Sequence, residues 1–457
     1  MNSSLRTHGA LVGLMIGLVC LSGCLSGCSK PETDRVGDGK GQGKAEQDAK
    51  RPESDDETGA AKGKKEAAKQ PPRVSTAKAE NVAAAKARLD AMEGNATYTI
   101  VPDDVMTELT IGDGSVLSAE DLELFGKLTD LETLRIFDFR ELNNEMVAEL
   151  SELSQLKELA ITNSVISDPA VEMIADSFPD LRNLDLSYNS NISNSAMKAV
   201  SQLSKLERLT LIQDQFNDLG ISHLMKLENL KVVDIRGNMQ AGDLALEFLS
   251  SLPNLAVLKH RSTIVSDAGV AALATSPSLR SLLMHDFDIS DAAGESLAGI
   301  ETLTELEVFR CSNFGSDGVL ALKGMPLTRL KLRGLPAVDD RAMAVFEDLP
   351  ALERLYLHEI GSLSDEGLQA LGNLKTLKVL DIWDLPEMTD ATVDVIATLP
   401  ELKELSIRGT SVTDAAVDKL VQMPNLHTLV FKDNGDVTEE GLQKLAGKDW
   451  KKLDVGQ

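Results

Sequence analysis

One apolar pattern, apolar-x-x-apolar-x-apolar, recurs along most of this 457-residue sequence at a nearly constant spacing. One copy contains Leu352, Leu355 and Leu357, and the next begins at Leu377. The first apolar residues of the successive copies are Met106, Leu131, Leu156, Leu181, Leu206, Leu230, Leu255, Leu279, Leu303, Leu327, Leu352, Leu377, Leu402 and Leu426, which are always 24 or 25 residues apart. A truncated copy follows at Trp450. This period restricts the chain to a stack of similar units, because one unit of that length cannot bury its own apolar face.

The apolar trio of each copy predicts a short strand. Leu355 and Leu357 alternate with Tyr356 and His358, and alternate residues of a strand point to opposite faces of a sheet. We therefore expect the leucines inside the stack, and Tyr356 and His358 on its solvent-facing side.

A helix is predicted after each strand. Residues 364–371 have apolar side chains at helical spacing. Ser364 or Asp365 could cap the first turn, where the positive end of the helix favours an acidic side chain. Stacked strand–helix units give an α/β solenoid over residues 105–457, with a parallel sheet along one side and helices along the other.

The repeat resembles the leucine-rich repeat family over about residues 100–457. Its Ser/Thr-Asp-x-Gly-Leu helix start is most similar to the ribonuclease-inhibitor-like and F-box-associated members. The resemblance implies a right-handed horseshoe with the sheet on its concave face and the helices on its convex face. The ninth repeat position, usually Asn or Cys in the family, is occupied here by Asn189, Asn238, Cys311 and Asn434. Ser164, Thr263 and Ile360 interrupt that series. We expect Cys311 to be buried rather than nucleophilic.

Residues 1–28 have the character of a targeting segment. The apolar run of residues 10–19 is too short to span a bilayer. The sequences that end at Cys24 and at Cys28 both resemble the bacterial lipobox, whose cysteine becomes lipidated. Cys24 is the preferred site and Cys28 the second choice. The alternatives are an ordinary secretory signal and an uncleaved anchor.

Two further segments precede the repeats. Residues 29–74 have almost no large apolar side chains, so they are predicted to form a disordered, charged tether. Residues 75–104 are predicted to cap the first repeat, with a helix over Ala77–Met92 and a strand over Tyr98–Val101. At the other end, Trp450 and the truncated copy are expected to close the stack.

The charge of the chain argues against one class of partner. The formal net charge is −26, and the predicted tether is nearly neutral, so the repeat region is strongly acidic. Nucleic acid is therefore not an expected ligand, because phosphate binding needs a basic face.

A row of basic and aromatic residues interrupts this acidic background. It occupies the outward position just after the L-x-L core in nine successive repeats, with Tyr356 beside it. The row, called the ridge below, contains Arg236, Arg261, His285, Phe309, Arg333, His358, Trp383, Arg408 and Lys432. It would be about 40 Å long. Arginine and aromatic side chains are common in binding hot spots, so the ridge is a candidate ligand site. The alternative is a sheet face whose charges pair with one another.

Catalytic signals are weak. His285 and His358 are too far apart in the repeat array to share a metal ion. Glu359 and Asp384 could be neighbours, but a salt-bridge cluster with Arg408 and His358 explains them better. The sequence therefore predicts no catalytic residues, metal site or cofactor. His260, at an inward strand position, is expected to be a partly buried histidine with its hydrogen bonds satisfied.

These observations favour a non-enzymatic recognition module, exported and lipid-anchored to a bacterial envelope membrane. Its sheet would bind a protein, an acidic ligand or a glycan, a role implied by the family resemblance. The second hypothesis is a structural envelope protein without a specific ligand. A ubiquitin-ligase substrate receptor is a minor alternative, because no F-box-like segment precedes the repeats.

Overall fold

The computed structural model describes residues 75–456, which contain one sheet of sixteen strands that follow one another in chain order. Strand β1 is antiparallel to β2, and every other neighbouring pair is parallel. The strands are β1 Ala96–Val101, β2 Val105–Ile111, β3 Thr133–Ile136, β4 Glu158–Ile161, β5 Asn183–Asp185, β6 Arg208–Thr210, β7 Val232–Asp234, β8 Val257–Arg261, β9 Ser281–His285, β10 Glu305–Phe309, β11 Arg329–Arg333, β12 Arg354–His358, β13 Val379–Leu385, β14 Glu404–Thr410, β15 Thr428–Lys432 and β16 Lys452–Gly456.

The strand register follows the apolar trio. Leu355 lies opposite Leu330 on one side and Leu380 on the other, and Leu355 and Leu357 are fully buried. The prediction of an α/β solenoid is confirmed, since each strand from β2 to β15 is followed by a helical segment and the sheet stays open.

Most helices are short, because a period of 24 or 25 residues leaves few positions once the strand and its loops are formed. They are α1 Ala79–Asp90, α2 Ala119–Gly126, α3 Asn144–Ala148, α4 Asp168–Ser177, α5 Ala196–Val200, α6 Asp218–Ser222, α7 Asp243–Ser250, α8 Asp267–Leu273, α9 Ala292–Ala298, α10 Ser316–Leu320, α11 Asp365–Leu368, α12 Asp390–Ile396, α13 Asp414–Gln422 and α14 Glu439–Leu445. Segments of 3-10 helix cover Gly114–Val116, His223–Lys226, Asp340–Asp348 and Gln369–Asn373.

The Ser/Thr-Asp pair at the helix start has two separate roles. Ser364 caps its own helix, because its hydroxyl accepts a hydrogen bond from the backbone N–H of Glu366 at 3.2 Å. Asp365 instead reaches the next repeat, where Thr389 donates its backbone N–H at 3.0 Å and its hydroxyl at 2.6 Å. We call this contact the Asp clasp. It recurs at Asp168, Asp243, Asp267, Asp340, Asp390 and Asp414.

The two ends of the described region differ from each other. At the first end, the predicted helix and strand are present as α1 and β1, and Val82, Ala85 and Leu89 are buried. At the last end, Trp450 is half-buried and its indole N–H donates to the Leu445 carbonyl at 2.6 Å. Val455 holds the inward register opposite Phe431 but remains 40% exposed. The final strand therefore covers β15, where Phe431 is fully buried, while its own inward residue Val455 stays partly open to solvent.

The predicted targeting segment, with Cys24 and Cys28, and the predicted tether of residues 29–74 lie outside the described residues. Within residues 75–456, no helix combines the length and the apolar character needed to cross a membrane.

Candidate functional site

The ridge is continuous along the sheet. On strands β8 to β15 its members occupy matching positions: Arg261, His285, Phe309, Arg333, His358, Trp383, Arg408 and Lys432. Arg236 lies two residues beyond the end of β7. Tyr356 lies one row away, between Lys331 and Asp381. The structure thus brings together the residues that the sequence grouped.

Aromatic rings and guanidinium groups alternate along the middle of the ridge. The Arg333 Cζ atom lies 4.5 Å from the centre of the Phe309 ring and 4.8 Å from the centre of the Trp383 ring system. The Arg408 Cζ atom lies 5.2 Å from the same Trp383 centre. His285 contacts Phe309 edge-on, with ring centres 5.1 Å apart. Such cation–π contacts hold the arginines in place over the ring faces.

Every Arg, His and Lys side chain of the ridge contacts an acidic side chain. The contacting pairs are Arg236–Asp234, Arg261–Asp286, His285–Glu307, Arg333–Glu359, His358–Asp381, Arg408–Asp381 and Lys432–Asp454, with closest nitrogen–oxygen distances of 2.5 to 3.2 Å. This pattern supports the alternative that much of the ridge satisfies its own charges.

Glu307 is the most enclosed of these acids. It is 5% exposed, and its carboxylate lies 3.0 Å from His285 Nε2, 3.3 Å from Lys331 Nζ and 3.7 Å from Arg329 Nη2. Burial acts to raise the pKa of Glu307, but the hydrogen bond from His285 and the charges of Lys331 and Arg329 lower it to about 2. The Glu307 carboxylate is therefore paired with side chains of its own sheet and is not available to a ligand.

Three polar side chains, those of His358, Ser406 and Arg408, surround the Asp381 carboxylate. His358 Nε2 and Arg408 Nη2 each lie 3.2 Å from it. Burial acts to raise the pKa of Asp381, and the contacts with His358 and Arg408 lower it below its ordinary value. We call these four residues the Asp381 cluster.

The predicted salt-bridge cluster is present, with different acids from those the sequence suggested. Asp381 is the partner of His358 and Arg408, whereas Glu359 binds Arg333 through both carboxylate oxygens, at 2.9 and 3.2 Å. Within the described part of the chain, no group of His, Cys, Asp and Glu side chains is placed to hold a metal ion.

His260 and Cys311 are core residues. His260 is fully buried rather than partly buried, and its ring nitrogens lie 3.2 Å from the Ile235 carbonyl and 3.0 Å from the Ala241 carbonyl. Cys311 is buried as predicted, and burial raises the pKa of its thiol to about 12. A thiol with that pKa is a poor nucleophile at neutral pH.

A second buried acid, Asp214, is not suggested by the sequence analysis, although it occupies the ninth repeat position. Its neighbour Asn189 donates to the carbonyls of Ile161 and Leu186 at 2.8 and 2.7 Å. Asp214 accepts the Asn189 backbone N–H at 2.9 Å through one oxygen, while Oδ2 has no partner in the described region. Burial raises the pKa of Asp214 to about 8. The sequence did contain a signal for this buried acid, because Asp214 replaces the Asn found at the ninth position of the neighbouring repeats.

The residue after every ridge position except Arg261 adopts a positive φ angle. Glu359 has φ 53° and Asp384 has φ 55°, and glycine fills the same position at 237, 334 and 409. This backbone turn brings the Glu359 carboxylate to Arg333. The glycines that recur at this position could have indicated the turn from the sequence, since glycine adopts a positive φ without strain.

Comparisons with known proteins show the fold. No family model matches the chain. A chain in the crystal structure of the Rad7 and Elc1 complex in yeast superposes with a TM-score of 0.50 and 16% identity, over 76% of this chain and 92% of that chain. The crystal structure of an internalin from Listeria monocytogenes gives a TM-score of 0.47 and 20% identity, over 74% of this chain and 89% of that chain. At this level of identity the likeness extends to the solenoid architecture and no further.

Proposed function

We propose that this protein is a non-enzymatic scaffold that binds a partner protein on the solvent-facing side of its sheet, at the Asp381 cluster and the adjacent Trp383. The observation that carries the proposal is the row of Arg333, Trp383 and Arg408 on that side of the sheet, in which the guanidinium carbons lie 4.8 and 5.2 Å from the centre of the Trp383 ring system. Tryptophan and arginine side chains held in a fixed arrangement are the residues that most often dominate the binding energy of protein interfaces.

The chemistry of the site favours a protein over a glycan or a nucleic acid. Sugars and bases bind aromatic platforms through open ring faces, whereas Arg333 and Arg408 cover Trp383. The net charge of −26 opposes phosphate binding.

The test is a pull-down from envelope extract with the full-length protein and a Phe309→Ala/Tyr356→Ala/Trp383→Ala variant. The matched control is Phe137→Ala, which changes the same outward position in an early repeat, far from the Asp381 cluster. Circular dichroism first establishes that each variant is folded. We expect the parent and the control to capture a partner that the triple variant loses. Equal capture by all three would refute the assignment of the site.

A structural role without a specific ligand is the second candidate, and the paired charges of the ridge favour it. Because every Arg, His and Lys residue of the ridge already contacts an acid, the sheet needs no partner to remain soluble. Under that function, neither parent nor variants capture a partner from extract that contains the intact envelope proteins.

We also propose, from the sequence alone, that the protein is exported and anchored through lipid on Cys24. Labelled palmitate fed to expressing cells should be incorporated into the parent and into a Cys28→Ser variant, but not into a Cys24→Ser variant. Labelling of Cys24→Ser and not of Cys28→Ser would move the anchor to Cys28. Absence of label in the parent would refute the proposal of a lipid anchor.

A further inference from the structure

Four large apolar side chains are exposed close together, away from the ridge. They are Leu219, Met239, Leu244 and Ile264, with exposed fractions of 66%, 38%, 52% and 53%. All four lie where the chain passes from a strand into a helix, in three consecutive repeats. We call this surface the apolar rim.

The repeat itself does not require apolar residues at these positions. Met239 and Ile264 occupy one loop position, which in other repeats carries Ser115, Arg140, Val165, Ser190, Gln215, Asp288, Ser312, Pro336, Gly361, Pro386, Ser411 and Gly435. Leu219 and Leu244 occupy one helix position, which elsewhere carries Glu120, Glu145, Pro169, Ser195, Ala268, Ala292, Asp317, Arg341, Glu366, Ala391, Ala415 and Glu440. Small and polar residues therefore serve the fold equally well, and the apolar choice in these repeats has another cause.

The backbone beneath the apolar rim is held in place. Asn217 and Gln240 form a parallel bridge between successive loops. Asp218 accepts the backbone N–H groups of Gly242 at 2.7 Å and of Ala245 at 3.1 Å. A side chain added at Gly242 would meet Ile264 Cδ1 at 3.2 Å, so Ile264 lies over Gly242, between the loop that carries Met239 and the helix α7 that carries Leu244. The side chains thus form one surface on a rigid base, which lowers the entropy cost of binding.

The border of the apolar rim is acidic. Glu247 is exposed on α7, three residues after Leu244, and Asp288 is exposed at the loop position that follows Ile264 in the next repeat. Arg261, the ridge residue in the same repeat as Ile264, already binds Asp286. A second copy of this chain would bring the same acidic border and a net charge of −26, so electrostatic repulsion opposes self-association there.

We propose that the apolar rim is a second docking surface, for a segment of another protein that presents large apolar side chains flanked by Lys or Arg. The apolar side chains would cover Leu219, Met239, Leu244 and Ile264, and the flanking cations would approach Glu247 and Asp288. Apolar centres with charged borders are the usual anatomy of protein interfaces. This surface is distinct from the Asp381 cluster, and its function does not depend on that site.

The test uses a random peptide library displayed on phage, selected on the immobilised full-length protein, followed by titration of the enriched peptides. The rim variant is Leu244→Ser/Ile264→Ser, which introduces a residue type that other repeats carry at these positions, so the fold is retained. The control is Val165→Ser, at the same loop position and 47% exposed in the parent. We expect enriched peptides to combine apolar residues with Lys or Arg, and to bind the rim variant at least ten-fold more weakly, a loss of about 1.4 kcal/mol. Binding to Val165→Ser and to Trp383→Ala should not change, and salt should weaken binding to the parent.

Three results would overturn the proposal. One is enrichment of acidic peptides, or of peptides that bind the rim variant as well as the parent. Another is a failure of selection to enrich any peptide. The third is a parent that sediments as a dimer and a rim variant that sediments as a monomer, because the apolar rim would then join two copies of this chain. Loss of binding in Trp383→Ala alone would concern the Asp381 cluster and not the rim.

Discussion

Asp214 holds a carboxylate in a position where its neighbours in the stack use an amide. Asn238 donates to the carbonyls of Leu211 and Ile235 at 2.6 and 3.0 Å, whereas Asp214 leaves Oδ2 without a partner in the described region. The pKa of about 8 means that the folded protein keeps this group protonated at neutral pH. In the unfolded chain an aspartate has a pKa of about 3.9.

Asp214→Asn should therefore stabilise the protein, and more so at pH 8 than at pH 5. Between about pH 4 and pH 8 the folded state binds more protons at this site than the unfolded state, so parent stability falls as pH rises. The amide carries no charge, and it can donate to the carbonyls of Leu186 and Leu211, as Asn189 and Asn238 do in their own repeats. We expect a gain of roughly 1–3 kcal/mol at pH 8, measured by urea unfolding at both pH values.

The matched control for this prediction is Asp176→Asn, which neutralises an exposed aspartate nearby in the chain. It should leave the free energy of unfolding nearly unchanged at both pH values. A gain in Asp214→Asn that is equal at pH 5 and pH 8 would contradict the pKa assignment.

Glu307→Gln should destabilise the protein by about 3 kcal/mol at pH 7, because His285 and Lys331 lose a buried counter-ion. The pKa of Glu307 is lowered to about 2, so its stabilising effect is complete above about pH 4.3 and is lost as pH falls towards 2. Parent and variant should thus converge in acid. Chemical denaturation at a series of pH values measures both effects.

Glu353→Gln is the comparison for Glu307→Gln. Glu353 also binds a cation, Lys378, at 2.6 Å, but the two side chains are 45% and 40% exposed. Exposed ion pairs contribute less than about 1 kcal/mol, so this variant should unfold almost like the parent. Equal losses in both variants would mean that burial of Glu307 has no energetic consequence.

The repeat period predicts which row of the sheet a residue occupies, but not which side chain it pairs with. The inward positions of Leu355 and Leu357 and the matching positions of His358 and Trp383 follow from the period, because a strand alternates faces and each repeat stacks in register. The partner of Arg333 could not be predicted in this way. Glu359 reaches it only because its backbone has φ 53°, and a period does not encode that angle directly.

Among the elements, the Asp clasp explains why short helices suffice. A single helical turn is unstable alone, but α11 is joined to α12 through the Asp365 carboxylate. That carboxylate accepts from Thr389 and also from Thr392, whose backbone N–H lies at 3.2 Å and whose hydroxyl lies at 2.5 Å. The sequence predicted a helix cap from the Ser/Thr-Asp pair, and Ser364 fills that role. The inter-repeat contact of Asp365 was missed because it requires knowing how far apart adjacent helix starts lie.

Asp365→Ala should lower the free energy of unfolding by roughly 1–3 kcal/mol, because four donors on the next repeat lose their acceptor. Hydrogen exchange should accelerate at the amides of Thr389 and Thr392, while the repeats before Asp365 keep their protection. Asp317→Ala is the control, since Asp317 lies in the first turn of α10 but its side chain is 68% exposed and pairs with Arg341 at 3.5 Å. Uniform acceleration along the whole solenoid would contradict a local clasp.

At the scale of the whole molecule, charge is divided between the two sides of the solenoid. The chain has 72 acidic and 46 basic residues, yet basic residues outnumber acidic ones on the outward strand positions. The basic residues are Arg135, Arg208, Lys259, Arg261, Arg329, Lys331, Arg333, Arg354, Arg408, Lys432 and Lys452, and the acidic residues are Glu108, Glu158, Asp185, Asp234, Glu305, Glu307, Asp381, Glu404 and Asp454. The acidic excess therefore lies on the helices and loops, and an acidic partner meets the least repulsion at the sheet.

Deletion of residues 75–104 should destabilise the whole stack. Helix α1 and strand β1 cover its first repeat, and Arg88 binds Asp121 at 2.7 Å across that contact. Without them, apolar side chains of the first repeat meet water. We expect a thermal unfolding midpoint lower by roughly 5 °C or more, with increased binding of an apolar dye. The control is deletion of residues 40–69, within the predicted tether, which should change neither the unfolding midpoint nor the dye binding. An unchanged midpoint after deletion of residues 75–104 would show that α1 and β1 are not needed for stability.

The Asp clasp also gives the solenoid a way to change length. The contact from Asp365 to Thr389 has the same chemistry as the contact from Asp390 to Thr413, so a repeat that carries the clasp can bind any following repeat that has Ser or Thr at the matching position. Duplication or loss of one unit of 24 or 25 residues leaves two compatible faces in contact. A chain built in this manner can gain or lose binding surface one repeat at a time, and the packing of the remaining core residues stays the same.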